Sequence, residues 1–141
     1  MGQLVNALPG SVLAGDPTPV FNVAIDPTQP PGDVDLYFKP DLFHADFAAD
    51  LPASKSAELA STQRPLAVDA IRESTGDPAW KHIPSWYLVG TADKVIPAAE
   101  QLAMAHRAGS QITQVDASHA SLISHPDAVV RLVENASRTI H

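Results

Sequence analysis

Apolar and polar residues follow two different patterns along this chain, and the change falls at Pro84. Beyond it, Trp86-Tyr87-Leu88-Val89 runs without polar interruption, the pattern of a parallel strand covered on both faces. Ala98 to Ala108 places Leu102, Met104 and Ala105 on a helix, and Gly109 stands where a helix end takes a left-handed residue. Gln111 to Val115 predicts the next strand. Pro126 to Ile140 carries Val129, Leu132, Val133, Ala136 and Ile140 at amphipathic spacing, with Pro126 at the first helical position. Strand, helix, strand and helix with short connections predict a right-handed parallel crossover unit.

Before Pro84 the segments are short and punctuated by proline. Gln3 to Leu8 predicts the end of a helix stopped at Pro9-Gly10. Asp16 to Asp35 shows no sustained period and predicts an extended loop wrapped over a surface. Leu36-Tyr37-Phe38 predicts a short strand. Three short helices follow. Pro40 to Leu51 spaces Leu42, Phe43, Phe47 and Ala48 helically, Pro52 to Thr62 is rich in Ala, Leu and Glu, and Pro65 to Ser74 carries Leu66, Ala67, Ala70 and Ile71. Each apolar stripe is two or three residues long, too narrow for a free-standing bundle. The expected organisation is a connection and helical cap over 1–83, then a β-α-β-α part over 84–141. The fold class is α/β.

Composition narrows the function. With 9 Lys+Arg against 16 Asp+Glu, the formal charge is −7, which disfavours nucleic acid and anionic membrane surfaces. Cysteine is absent, so disulfides and thiolate metal sites are excluded, in keeping with a reducing compartment. No apolar run approaches the roughly 20 residues of a membrane span, and no signal-type segment follows Met1. A cytoplasmic protein is expected. His44, His106, His119 and His125 have no metal-ligand spacing, so no metal or cofactor is expected.

Two loops carry the candidate chemistry. The first predicted strand runs into Gly90-Thr91-Ala92-Asp93-Lys94-Val95-Ile96-Pro97, which presents an acid. The second runs into Asp116-Ala117-Ser118-His119-Ala120, which presents a histidine. Alone, Asp93 reads as an N-cap for the helix at Pro97 and His119 as an ordinary loop histidine. At the carboxyl ends of successive strands, one helix apart, they read as partners. A carboxylate and an imidazole are two members of a nucleophilic triad, in the order Ser…Asp…His. No Gly-x-Ser-x-Gly elbow occurs in the 141 residues. Ser85, Ser118 and Ser121 lack its flanking glycines.

Through Trp80-Lys81-His82-Ile83-Pro84-Ser85-Trp86, Asp93-Lys94, Asp116-Ala117-Ser118-His119-Ala120 and Ser124-His125-Pro126-Asp127, the chain resembles the α/β-hydrolase superfamily. It is most similar to bacterial esterase-like members related to plant methyl-ester esterases and hydroxynitrile lyases. A weaker likeness reaches back through Phe47-Ala48-Ala49-Asp50-Leu51-Pro52 and Thr62-Gln63-Arg64-Pro65. The resemblance implies a partial α/β-hydrolase fold, the C-terminal half of a member: cap, last two strands and last two helices. It places Asp93 as triad acid and His119 as catalytic histidine, and leaves nucleophile and oxyanion donors without counterparts. Such a piece is expected to be inactive on esters alone. Completed by an N-terminal half it would take a small-molecule ester; the alternatives are half of a split hydrolase or a non-catalytic binding module or relic.

Trp80, Phe43 and Ala120 are the candidate substrate-pocket residues. Trp86 is expected in the core and His125 at the start of its helix. Asp16, Asp26, Asp33, Asp35, Asp41, Asp46 and Asp50 are expected on a solvated face. The strand at Trp86 is expected to leave one edge uncovered, a route to self-association.

Overall fold

A computed structural model describes residues 10–14, 16, 18–25, 27, 28 and 34–139. The helix end expected at Gln3–Leu8 lies outside them. The chain before Pro84 forms a small antiparallel sheet and short helices. β1 (Phe21–Ala24) pairs with β2 (Asp35–Phe38), Phe21 opposite Phe38. β3 (Leu66–Ala67) adds a two-residue rung on the other side of β2. Between them lie α1 (Pro40–Asp46) and α2 (Ala53–Thr62), and α3 (Val68–Arg72) follows β3. A 3₁₀ turn, Ala79–Lys81, leads into the second half.

Two expectations are corrected here. The segment Asp16–Asp35 is not all loop: it contains β1. Only Phe21 of the four β1 residues is buried, so the strand has no alternation to read. Leu66 and Ala67 are strand, not helix. Leu66 pairs with Leu36, and the N–H of Val68 continues the rung to the carbonyl of Val34.

The second half follows the predicted order. β4 (Trp86–Gly90) pairs in parallel with β5 (Gln111–Val115), from Trp86 opposite Gln111 to Gly90 opposite Val115. α4 (Ala98–Arg107) makes the crossover, and Gly109 takes φ 64°, the left-handed conformation that ends the helix without a Cβ penalty. A single turn, α5 (Ser121–Ser124), precedes α6 (Pro126–Thr139). Among the described residues β4 and β5 form a sheet of two strands. Its small size corrects the picture of a strand covered on both faces: Trp86, Tyr87 and Leu88 are half-buried, and only Val89 and Gly90 are buried. Trp86 is therefore not a full core residue.

One core joins the two halves. Leu13, Val20, Phe21, Leu36, Phe38, Phe43, Ala48 and Ala60 pack with Val95 and Ala120 from the loops after β4 and β5. Phe38 is its centre, meeting Phe21, Phe43 and Phe47 edge to face at centroid distances of 5.1, 5.9 and 5.7 Å. Each such ring pair adds about 0.5–1.5 kcal/mol beyond its buried area. The loop after β4 is also clamped by the N-terminal segment. The Ser11 hydroxyl donates to the carbonyl of Val95 at 2.7 Å, and the Val12 N–H donates to that of Lys94 at 2.8 Å.

Candidate active site

Parallel pairing brings Gly90 opposite Val115, so the loops that leave the two strands emerge side by side. Their approach depends on a missing side chain. A Cβ on Gly90 would stand 2.9 Å from the carbonyl oxygen of Ala117 and 3.2 Å from that of Ser118. The backbone of β4 thus touches the backbone that carries His119.

Asp93 and His119 meet across this junction. The imidazole Nδ1 lies 2.8 Å from Asp93 Oδ2; the Asp93 side chain is 5% exposed and that of His119 28%. Asp93 is used on both oxygens. Oδ1 accepts the N–H groups of Val95 and Ile96 at 2.8 and 3.0 Å, which folds the loop into a turn ahead of α4; the N-cap of that helix is Pro97, with no side-chain cap bond, so Asp93 orders the loop and does not cap the helix. Oδ2 also accepts from Gln101 Nε2 at 2.8 Å.

Gln101 is a residue that sequence reasoning missed. It is 5% exposed on α4, and its amide also donates to the carbonyl of Ile96 at 2.7 Å and accepts the N–H of Gly90 at 3.2 Å. It ties the end of β4, the acid and the following loop together. The only signal for it was a polar residue on the apolar side of a predicted helix.

The histidine loop is held from the helical segment. The ring of Phe47 packs on the His119 imidazole edge to face, centroids 4.7 Å apart, and Phe43 stacks on Phe47 at 4.7 Å. Asp50, three residues on, accepts the N–H of Ser118 at 3.1 Å through Oδ2 and the Ser118 hydroxyl through Oδ1. Burial pushes the Asp50 carboxyl up, but hydrogen bonds from the Ser118 hydroxyl, the Ser124 hydroxyl and the Ser118 N–H outweigh it. The result lies below the ordinary aspartate value. Asp50 is thus not part of a merely solvated acidic face: a charge is kept here because donors converge on it. His125, at the start of α6, has Nδ1 3.6 Å from Asp50 and 3.0 Å from the Ser124 hydroxyl.

Of the expected pocket residues, Phe43 is buried in the core at 4%, one ring removed from His119. Ala120 is buried at 6%, its N–H 3.3 Å from the Ser118 hydroxyl oxygen. Trp80 is 39% exposed on the 3₁₀ turn. Tyr87 on β4 has its phenol raised above the usual value by burial, then by the charges of Asp93 and Glu100. Among the described residues, no group of three or more His, Asp or Glu side chains is arranged to hold a metal ion. No helix there is long and apolar enough to cross a membrane.

A charge-assisted bond to Nδ1 holds the proton on that nitrogen and leaves the Nε2 lone pair facing away from the acid. His119 Nε2 makes no hydrogen bond among the described residues, and the His119 side chain is 28% exposed. Chemically the pair is an imidazole with one nitrogen engaged by a carboxylate.

Comparison with known proteins agrees with this architecture. The alpha/beta hydrolase family matches over residues 4–132. The alpha/beta hydrolase nvfD of Aspergillus novofumigatus is 39% identical over 61 residues, 42% of this chain and 24% of that protein. Polyneuridine aldehyde esterase superposes with a TM-score of 0.67 at 16% identity, over 83% of this chain and 48% of that structure. A mutant of the same esterase gives 0.66 at 15% identity with the same coverage. At such identity the likeness is one of fold, and the chain spans about half the length of these structures.

Proposed function

Since this chain belongs to the alpha/beta hydrolase family, we propose that it carries the acid and the base of an ester-hydrolysing triad. His119 is the general base and Asp93 the residue that orients it. The observation that supports this most is the 2.8 Å contact between Asp93 and Nδ1, on a histidine whose side chain is 28% exposed and whose Nε2 makes no hydrogen bond among the described residues. In the reaction, Nε2 takes the proton of a serine hydroxyl as its oxygen attacks the ester carbonyl, and returns that proton to the departing alcohol. Water then repeats the sequence on the acyl-enzyme, and Asp93 stabilises the imidazolium formed in each half.

The serine and the oxyanion donors belong to polypeptide outside these 141 residues, because no Gly-x-Ser-x-Gly elbow occurs within them. The substrate class is a small-molecule ester. Oxyanion electrostatics usually supply the largest rate term, so the chain alone should be inert. The test has two arms. The purified 141-residue chain should neither turn over short acyl esters nor be labelled on serine by a fluorophosphonate. The DNA preceding Met1, translated in three frames, should encode a strand followed by the elbow. Joined to that segment, the chain should hydrolyse esters, and Asp93→Asn should lower kcat on the order of 10⁴-fold. Turnover by the chain alone that Ser118→Ala or Ser121→Ala abolishes would overturn the reading.

A further inference from the structure

We propose that Asp50 is a positioning residue for His119: the turn after α1 fixes the loop that presents the imidazole, so the helical segment sets where the base stands. This rests on the reading of His119 as the base. Asp50 is 68 residues from Ser118 in sequence and grips it twice, at the backbone N–H and at the hydroxyl. Ser118 is 2% exposed, and its hydroxyl oxygen in turn accepts the N–H of Ala120 at 3.3 Å. One carboxylate therefore anchors the residue before His119 and, through Ser118, the residue after it. From the same turn, Phe47 presses its ring edge to face on the imidazole. Asp93 fixes the Nδ1 side of the ring; Phe47 and Asp50 fix its plane and its backbone.

Asp50 contacts neither nitrogen of His119 in this arrangement, so it acts through Ser118 and not on reacting atoms. Nor do Asp50, His125 and Ser124 form a second triad. Both the carboxylate and the hydroxyl approach the same nitrogen, Nδ1 of His125, and a relay needs one partner on each ring nitrogen. The groups facing Asp50 are thus Ser118, Ser124 and His125, all from the C-terminal half, while Asp50 comes from the cap side.

The experiment is imidazole NMR on the full 141-residue chain. In the wild type, His119 should show a low-field Nδ1–H proton and ¹⁵N shifts of the Nδ1-protonated tautomer. In Asp50→Ala, exchange of that proton should accelerate roughly tenfold, the scale of one lost charge-assisted hydrogen bond, and the Nε2-protonated tautomer should gain population. Ser118→Ala removes only the hydroxyl link and should give a smaller change in the same direction. Asp50→Asn keeps an acceptor for the Ser118 N–H and should restore part of the wild-type signal. A proton and tautomer unchanged in Ser118→Ala and in a folded Asp50→Ala would overturn the role of Asp50 alone. If Asp50→Ala does not fold, Ser118→Ala and Asp50→Asn decide it by the same criterion. A wild type without the Nδ1–H proton would instead overturn the Asp93–His119 pairing itself.

Discussion

At the scale of single residues, the site depends on two that carry no chemistry. Gly90 is where β4 meets the backbone of the histidine loop, and its importance is one of space, since the neighbours that a methyl group would strike are carbonyl oxygens. Backbone cannot swing aside as a lysine would. Gly90→Ala should therefore cost about 1–3 kcal/mol, read as a lower urea midpoint, and should move the His119 ring resonances. An unchanged midpoint would mean that the loop after β5 gives way freely. Gln101 does the complementary work with hydrogen bonds, filling the gap between the β4 terminus and the acid with an amide satisfied at both ends. A buried polar side chain of this kind is costly to leave half-paired.

At the scale of elements, the turn after α1 and the loop after β5 are joined by a charge. Asp50 has a folded-state value below its ordinary 3.8. A depressed carboxylate contributes stability that is present above the unfolded value and is lost as pH falls through the folded one. Denaturant midpoints measured from pH 6 to pH 2.5 should thus decline below about pH 4. Asp50→Asn should be less stable by about 1–2 kcal/mol near neutrality, and that gap should close in acid. Asp127 is also depressed, by its hydrogen bond and charge contact with Arg131; it titrates in both proteins, so the difference isolates Asp50. A gap that stays constant down to pH 2.5 would show that the charge of Asp50 is not what joins these elements.

α6 shows a mismatch of a different kind. Ala128 is buried, yet Val130 and Val133 on the same helix are 55% and 61% exposed. Its apolar stripe is wider than the surface it meets, and Leu122 and Ile123 of α5 extend the exposed apolar area.

At the scale of the molecule, β4 and β5 make a two-stranded parallel sheet among the described residues, flanked by helices whose apolar surface exceeds it. Unpaired strand edges and uncovered apolar patches are both templates for association. Sedimentation velocity should therefore show a coefficient that rises with protein concentration. A monomeric boundary that does not shift with concentration would argue against association through this surface.

The order of elements in the second half, and the meeting of Asp93 with His119, are legible in the chain alone. Hydrophobic period, Gly109 and Pro126 place β4, α4, β5 and α6 to within a residue or two, because each is long enough for its own pattern to outweigh its context. Two strands joined by one helix can pair in parallel only with their carboxyl ends together, so an acid and a histidine after those ends must be neighbours. The rest depends on how the elements pack. β1 buries one residue in four and β3 is two residues long, and such strands exist by virtue of the partner they meet. Asp50 looked like one solvated acid among seven, and Gln101 like a helix residue. Their roles rest on contacts that no local pattern encodes: one with a backbone N–H 68 residues away, the other with groups on both sides of a loop. The pattern of a chain records which side of each element is apolar. Which polar group will stand opposite a buried donor is settled only when the elements pack.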